Sequence, residues 1–499
     1  MTASRRTRLA MVWVPFGIIL TMWALLYLPH LRTSPGWYGD ETLTHHTSRN
    51  LASGVASNFA LWNTFWHPHY PYQAAYSLVN GVFARLAGGD IVGSRFFNTL
   101  LALCGGLFIY FVGRKSFGSL AALFAATMFL SYGQTIVHFR MSYAHNAAGL
   151  GLLIMTLYLL RKAKSANDWK AGLGLLVAAG SHPLSIHGAL TGLLVRWRKP
   201  RAWLPLLVPS AICVVTSSAV IYMFFGSWLF EDLAHLKDTF TARGEQDGGG
   251  SRAFLNFFAF VSQDWFHIGV FVGLLLCLWL RRMAAPVVGL LVLFLLVRNR
   301  QNLVVFYYQA IVILPVLCLG WAGVWRFCET RVRRIAPRVR RVVLFFYLLP
   351  ALLCALALPA SLSGTIRPRN FYWVTQSTDE VEAAAEWVNE RTKAGDVVAG
   401  NANIAWLLKA ETVPYLQMAT WYGLPTQGYE NGNARERFRF DSSVENCKFA
   451  IVGDIDRRWT FGEPNVRSLA LRMESEQWPT VWQGENYLIL ANPRFMPPR

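Results

Sequence analysis

Charge is what this sequence has least of: only 15% of its 499 residues are Asp, Glu, Lys or Arg, while 54% are hydrophobic. A soluble chain normally carries about a quarter charged residues, so a wholly water-soluble protein is excluded. Cysteine is also scarce, with 7 in the chain. Cys104, Cys213, Cys277, Cys318 and Cys354 fall inside apolar runs, Cys328 lies beside a basic loop, and only Cys447 lies in the polar C-terminal stretch. No CxxC pair occurs, so neither a disulfide framework nor a cysteine metal site is expected. The C-terminal stretch also lacks a GxGxxG turn, a phosphate loop and a serine elbow, which argues against nucleotide binding or serine hydrolase chemistry there.

The apolar runs explain the missing charge. Several can cross the roughly 30 Å of hydrocarbon in a bilayer, and each must then be helical, because lipid offers no partner to a bare amide. The net charge of +19 does not indicate nucleic acid. Residues 377–499 are mildly acidic, and the basic residues sit in short clusters between apolar runs. Such clusters mark cytoplasmic loops, not a stripe for DNA or RNA.

The expected fold is an α-helical polytopic membrane protein of about eleven transmembrane helices with a C-terminal α/β domain. The spans are read at 9–30, 96–113, 117–132, 145–161, 170–181, 184–197, 203–226, 264–280, 284–298, 302–325 and 342–363. The first follows Arg5-Arg6-Thr7-Arg8 and is read as a retained signal anchor, since no small-x-small cleavage site follows it. Clusters at 5–8, 114–115, 161–170, 196–201, 281–282 and 326–341 then share one side, which the positive-inside rule makes cytoplasmic. Spans 170–181 and 184–197 are short. They read as two broken helices meeting at Ser181-His182-Pro183, or as a re-entrant pair.

This topology puts the N-terminus in the cytoplasm and the C-terminus outside. Among the acids before residue 364, only Asp168 and Glu329 face the cytoplasm. All 11 histidines fall at or near the outer side. Acid/base chemistry is therefore expected outside, although short basic cytoplasmic loops alone would produce the same bias. The outer segments are 31–94, 227–263 and 364–499, giving a membrane domain over 1–363 and an extracytoplasmic soluble domain over 364–499. Within the first segment, Tyr72–Ala87 has the period of an amphipathic interfacial helix. Within the second, Gly244–Arg252 has a flexible composition suited to a lid. In the third, Ser377-Thr378-Asp379-Glu380 is a capping box opening a helix, and 397–399, 449–452 and 487–490 read as strands.

The sharpest chemical feature is Asp40-Glu41, just past the first span. Adjacent carboxylates near a membrane are costly unless hydrated, paired or used. They suit a general base or a divalent metal site; the plain alternative is a solvated acid that caps the next helix.

The run from Gly39 to Gly54 (GDETLTHHTSRNLASG) resembles the first outer loop of the glycosyltransferase C (GT-C) superfamily, in the branch holding protein O-mannosyltransferases and the lipid A aminoarabinose transferase. His67-Pro68-His69-Tyr70-Pro71-Tyr72 stands where that branch has a Lys/His-Pro-Pro segment, with His69 replacing the second proline. Ala87–Asn98, Tyr110–Gly118 and Asn302–Trp321, with Tyr307-Tyr308 and Leu314-Pro315, continue the likeness across about residues 10–325.

The resemblance implies a GT-C fold and sugar transfer from a polyprenyl-phosphate donor to an acceptor hydroxyl, with inversion, at the outer face of the cytoplasmic membrane. The acceptor would be a glycan, a lipid or a protein. Asp40 is the implied base, and Glu41 would position the acceptor or share a divalent metal with Asp40 and His45. Arg95, Arg140, Arg298 and Arg300 lie near outer span ends, where they could clamp the donor phosphate or merely anchor in the interface. His67, His69, Tyr70 and Tyr72 are the expected sugar contacts, in a stretch whose composition equally fits an aromatic belt. Three rivals differ in class. A transporter would show repeats and mid-membrane charge, a polymerase or ligase would use a diphosphate donor, and a non-catalytic assembly subunit would act through residues 364–499.

Overall fold

The computed structural model describes residues 3–37, 39–54, 73–227, 264–282, 312–332, 339–366, 377–424, 438–453 and 464–496, together with Phe230, Ala284 and Arg435. All of the expected span 284–298 but Ala284, the lid composition at 244–252 and the start of span 302–325 lie outside the described residues.

The apolar runs are helices, as the hydrophobic pattern demands. In chain order they are α1 (Ala3–Tyr27), α2 (Gly39–Ala52), α3 (Ala74–Leu86), α4 (Ile91–Phe111), α5 (Ser119–Ser131), α6 (Gly133–Phe139), α7 (Ala144–Leu159), α8 (Ser165–Ala179), α9 (Ser185–Val195), α10 (Trp203–Phe225), α11 (Trp265–Trp279), α12 (Leu319–Val332) and α13 (Val339–Leu362). Among the described residues, Ile91–Phe117 and Pro200–Val220 are long and apolar enough to cross a membrane. α5 and α6 pass the same test together, with a bend of 63° between them. Five more helices are apolar but shorter, at 10–17 described residues. The eleven-span count remains the sequence's reading.

Lipid tails do not drive helices together, so contact depends on small residues that let backbones meet. A Cβ on Gly151 of α7 would lie 2.5 Å from the Gly174 carbonyl of α8, and one on Gly273 of α11 would lie 2.0 Å from the Gly320 carbonyl of α12. A Cβ on Gly81 of α3 would lie 2.0 Å from the Ser48 carbonyl of α2. The short pair α8 and α9 is real, joined by a turn over 180–184. Its far end is closed by a buried ion pair, Arg196 Nε to Asp168 Oδ1 at 2.9 Å, and Arg196 also donates to the Leu159 carbonyl that ends α7. Asp168 is thus paired, as an acid buried among helices must be.

The C-terminal sheet has five strands: β1 (Val397–Ala399), β2 (Glu411–Val413), β3 (Cys447–Gly453), β4 (Thr480–Gln483) and β5 (Tyr487–Ala491). Their order is β2-β1-β3-β5-β4, with β1 parallel to both neighbours and the β3-β5-β4 half antiparallel. The three strands expected from sequence are present. β2 and β4 are additions, too short to carry a pattern of their own. On one face α14 (Thr378–Arg391) packs with Val398, Phe449, Ile451 and Ile489. On the other, α15 (Tyr415–Trp421) and α16 (Pro464–Ser475) pack with Ala399, Val413 and Ala450. Ser377 caps α14, accepting from the Glu380 amide at 3.3 Å. The Glu380 carboxylate does not reciprocate; it accepts from the Asn486 and Tyr487 amides and so ties α14 to the start of β5.

Two residues from far away complete the first of these cores. Trp37, just before α2, and Ile91, at the start of α4, are buried within it. The sheet layer and the loop after α1 therefore share one hydrophobic interior.

Candidate active site

α2 begins where the sequence predicts, at Gly39, with Asp40 and Glu41 in its first turn. The turn is closed locally: the Thr42 hydroxyl donates to the Gly39 carbonyl at 2.9 Å and the Thr44 hydroxyl to the Asp40 carbonyl at 2.7 Å. Neighbouring residues on a helix point about 100° apart, so the two carboxylates face different surroundings.

Glu41 turns inward. Arg95 of α4 donates Nε to Oε1 and Nη2 to Oε2, both at 2.7 Å, and both side chains are 0% exposed. The Ser142 amide adds a third bond to Oε1 at 2.8 Å. Arg95 Nη1 reaches the carbonyls of Leu31, Arg32 and Pro35 at 2.8–3.1 Å, and Nη2 also reaches Gly36 at 3.4 Å. This corrects two expectations from sequence. Glu41 is committed to Arg95 rather than turned toward an acceptor or a metal, and the Arg95 fork is spent on Glu41 and the loop carbonyls rather than on a phosphate. Residues 28–37 form neither helix nor strand, and buried carbonyls need donors.

Arg140, which follows α6, behaves likewise. It donates to the carbonyls of Ser34 at 3.0 Å and Leu26 at 3.1 Å, to the Pro29 carbonyl, and to the Ser361 hydroxyl at 3.1 Å. It is fully buried, so it neither snorkels nor faces a headgroup.

His45, one turn beyond Glu41, shares its face. Its Nε2 lies 3.1 Å from the Gly89 carbonyl and its Nδ1 2.8 Å from the Ser94 hydroxyl. A carbonyl only accepts, so Nε2 holds the hydrogen and Nδ1 accepts from Ser94. Burial, aided by the Arg49 charge, pushes the His45 pKa down to about 3 against the opposing Gly89 bond. Burial and Arg49 push His46 down as well. His45 is therefore a neutral strut. Among the described residues no three His, Cys, Asp or Glu side chains gather to hold a metal. The expected trio of Asp40, Glu41 and His45 does not converge, because Glu41 and His45 each face a different partner on α4 or the turn before it. Asp40 itself is half-buried.

Beneath this helix lies a polar core that the sequence did not announce. Asn98 Oδ1 accepts from the Tyr143 amide at 3.2 Å and from Asn146 Nδ2 at 3.0 Å, while its Nδ2 donates to the Tyr76 hydroxyl at 2.8 Å. Asn80 Nδ2 bridges Ser48 and Ser142, each at 3.1 Å. The one available signal was Ser94, Arg95 and Asn98 at helical spacing within an apolar run, a stripe that must face protein rather than lipid. A second polar group lies at the α5–α6 bend, where the Tyr132 hydroxyl donates to Asp264 Oδ2 at 3.1 Å and lies 3.1 Å from His267 Nε2. His67, His69, Tyr70, Tyr72, Arg298 and Arg300 lie outside the described residues.

Residues 74–185 match the family of dolichyl-phosphate-mannose-protein mannosyltransferases. No curated protein matches the chain. Among solved structures, ArnT from Cupriavidus metallidurans bound to undecaprenyl phosphate superposes with a TM-score of 0.65 at 13% identity, over 98% of this chain and 99% of that one. The same protein in the apo state gives 0.60 at 14% identity over the whole of both chains. The archaeal oligosaccharyltransferase AglB from Archaeoglobus fulgidus, in complex with an inhibitory peptide and a dolichol-phosphate, gives 0.54 at 10% identity over 97% of this chain and 74% of that one.

Proposed function

We propose that this chain, which has the GT-C fold of membrane glycosyltransferases, moves a sugar from a polyprenyl-phosphate donor to an acceptor hydroxyl at the outer face of the cytoplasmic membrane. The observation that carries the reading is the division of labour in the first turn of α2. Glu41 is sealed against Arg95, while Asp40, the residue before it, is only half-buried on a helix whose position that ion pair fixes. Asp40 is the general base. It takes the proton of the acceptor hydroxyl as the oxygen attacks the anomeric carbon. The bond from that carbon to the phosphate oxygen breaks on the opposite side, polyprenyl phosphate leaves with the electron pair, and the configuration inverts. A base is useful here because the hydroxyl becomes acidic only as the new bond forms.

Glu41 is a positioning residue in this scheme, acting through Arg95 and the helix rather than on substrate. Arg298 and Arg300 are the proposed cations for the leaving phosphate, since Arg can grip it bidentately. His67, His69, Tyr70 and Tyr72 are the proposed sugar contacts. The test is transfer by the purified, membrane-reconstituted protein from defined polyprenyl-phosphate sugars, wild type against Asp40→Asn. Loss of about 10²–10⁴-fold in kcat is expected for a missing base. A fully active Asp40→Asn enzyme, or cysteine labelling that puts residue 40 in the cytosol, refutes the proposal.

A further inference from the structure

The turn that follows β1, residues 401–406, lies against α2. A Cβ on Gly39 would sit 3.1 Å from Asn403 Oδ1, so this buried amide abuts the residue just before Asp40. Leu43, one turn on, forms a buried apolar cluster with Ala402 and Ala405. The Trp406 indole stands edge-on to His45 (5.2 Å, 87°) and to Trp37 (5.1 Å, 80°). Its carbonyl accepts from Arg49 Nη1 at 3.2 Å, and its own Nε1 donates back to the Asn403 carbonyl at 3.1 Å, which stiffens the turn. Contacts therefore run along α2 from residue 39 to residue 49. Arg32 adds a separate tie, pairing with Asp90 at 2.8 Å and with Glu382 of α14.

The other side of α2 is held by Arg95, Ser94 and Asn80. The helix is thus gripped between the membrane helices and the C-terminal sheet layer, and the direction of the Asp40 carboxylate follows from both. A misplacement of about 1 Å at a reacting group can cost about a hundredfold in rate.

We propose that Trp406 and Asn403 are positioning residues for Asp40, which makes the C-terminal layer a working part of the transferase site. The inference rests on the reading of Asp40 as base. It is tested on the full-length protein in proteoliposomes with a polyprenyl-phosphate sugar donor. Trp406→Ala and Asn403→Ala should lower kcat by about tenfold or more and leave the donor KM within about twofold. Trp406→Phe, which keeps an aromatic edge toward Trp37 and His45, should recover to within about threefold of wild type. Arg49→Met is the milder variant should Trp406→Ala fail to fold; it removes one bond to the turn and should cost kcat about threefold. Tyr422, just past α15, packs on the opposite face of the sheet, where its hydroxyl accepts from the Val444 amide at 2.9 Å; Tyr422→Ala loosens that face and should leave kcat unchanged. The proposal is overturned if Trp406→Ala and Arg49→Met both turn over like wild type, or if Tyr422→Ala slows transfer as much as Trp406→Ala does. An active Asp40→Asn enzyme would sink the base assignment instead, with the docking contacts untouched.

Discussion

Arg95→Met is the perturbation whose outcome the structure fixes most tightly. It removes both bonds to the Glu41 carboxylate and the contacts to the loop carbonyls of Leu31, Arg32, Pro35 and Gly36. What remains is a buried carboxylate whose one hydrogen bond is from the Ser142 amide, beside four loop carbonyls that have lost a donor. Breaking a buried ion pair from one side costs about 3–5 kcal/mol. Glu41→Gln should cost less, because the Arg95 guanidinium keeps its carbonyl partners. In a double-mutant cycle, Glu41→Leu with Arg95→Met removes both charges at once, so the double should be less damaging than the sum of the singles by about 2–3 kcal/mol. The assay is denaturant or thermal unfolding of the purified protein in detergent, read beside transfer rate. Each single should also lower kcat at least about tenfold through movement of α2, since the proposed scheme makes both residues positioning groups for Asp40. Singles that add to within about 0.5 kcal/mol would refute the pairing, and so would an Arg95→Met protein with unchanged stability.

His45 binds a proton far less readily in the native protein, at a pKa of about 3, than at its ordinary 6.5. The unfolded chain therefore binds more protons between those values, and stability falls as pH drops through that window. Melting temperature should decline below about pH 6.5, and His45→Gln should flatten the decline; an unchanged slope would contradict the neutral strut. Gly81→Ala should force α2 and α3 apart and abolish transfer, since its Cβ would meet the Ser48 carbonyl at 2.0 Å, whereas Gly17→Ala, with nothing within 4 Å, should be silent. Equal activity of the two variants would rule out that close approach. Arg196→Met should lower thermal stability by stranding buried Asp168, with donor KM unchanged because the pair lies at the end of α8 away from α2. A changed KM would place that pair nearer the substrate than the fold does.

What could be read without coordinates was local. The amphipathic period over 72–87 became α3, the Ser377 cap opened α14, and the break at Ser181–Pro183 separated α8 from α9. Each follows from neighbours within a few residues. The fold was legible because one loop's order of acids, histidines and prolines resembles that of the GT-C superfamily, whose fold the superposed structures share. The roles of Arg95, Arg140 and Glu41 were not legible, because their partners lie dozens of residues away or are backbone carbonyls, which every residue supplies and none advertises. An arginine near a span end reads the same whether it meets a lipid phosphate or a buried loop. Trp37 was hidden similarly: its core neighbours, Val398 and Ile489 among them, lie more than three hundred positions later.

Arg140 carries an implication for how such a chain is made. Its guanidinium gathers carbonyls from Leu26 and Pro29, translated early, and the hydroxyl of Ser361, translated late; that hydroxyl itself donates to the Leu25 and Leu26 carbonyls. Until Ser361 has left the ribosome and entered the bilayer, the segment leading from α1 to Asp40 lacks one of its fasteners. A nascent chain arrested before that point would hold the early helices with that fastener still open, so the segment is fully tied only near the end of membrane insertion.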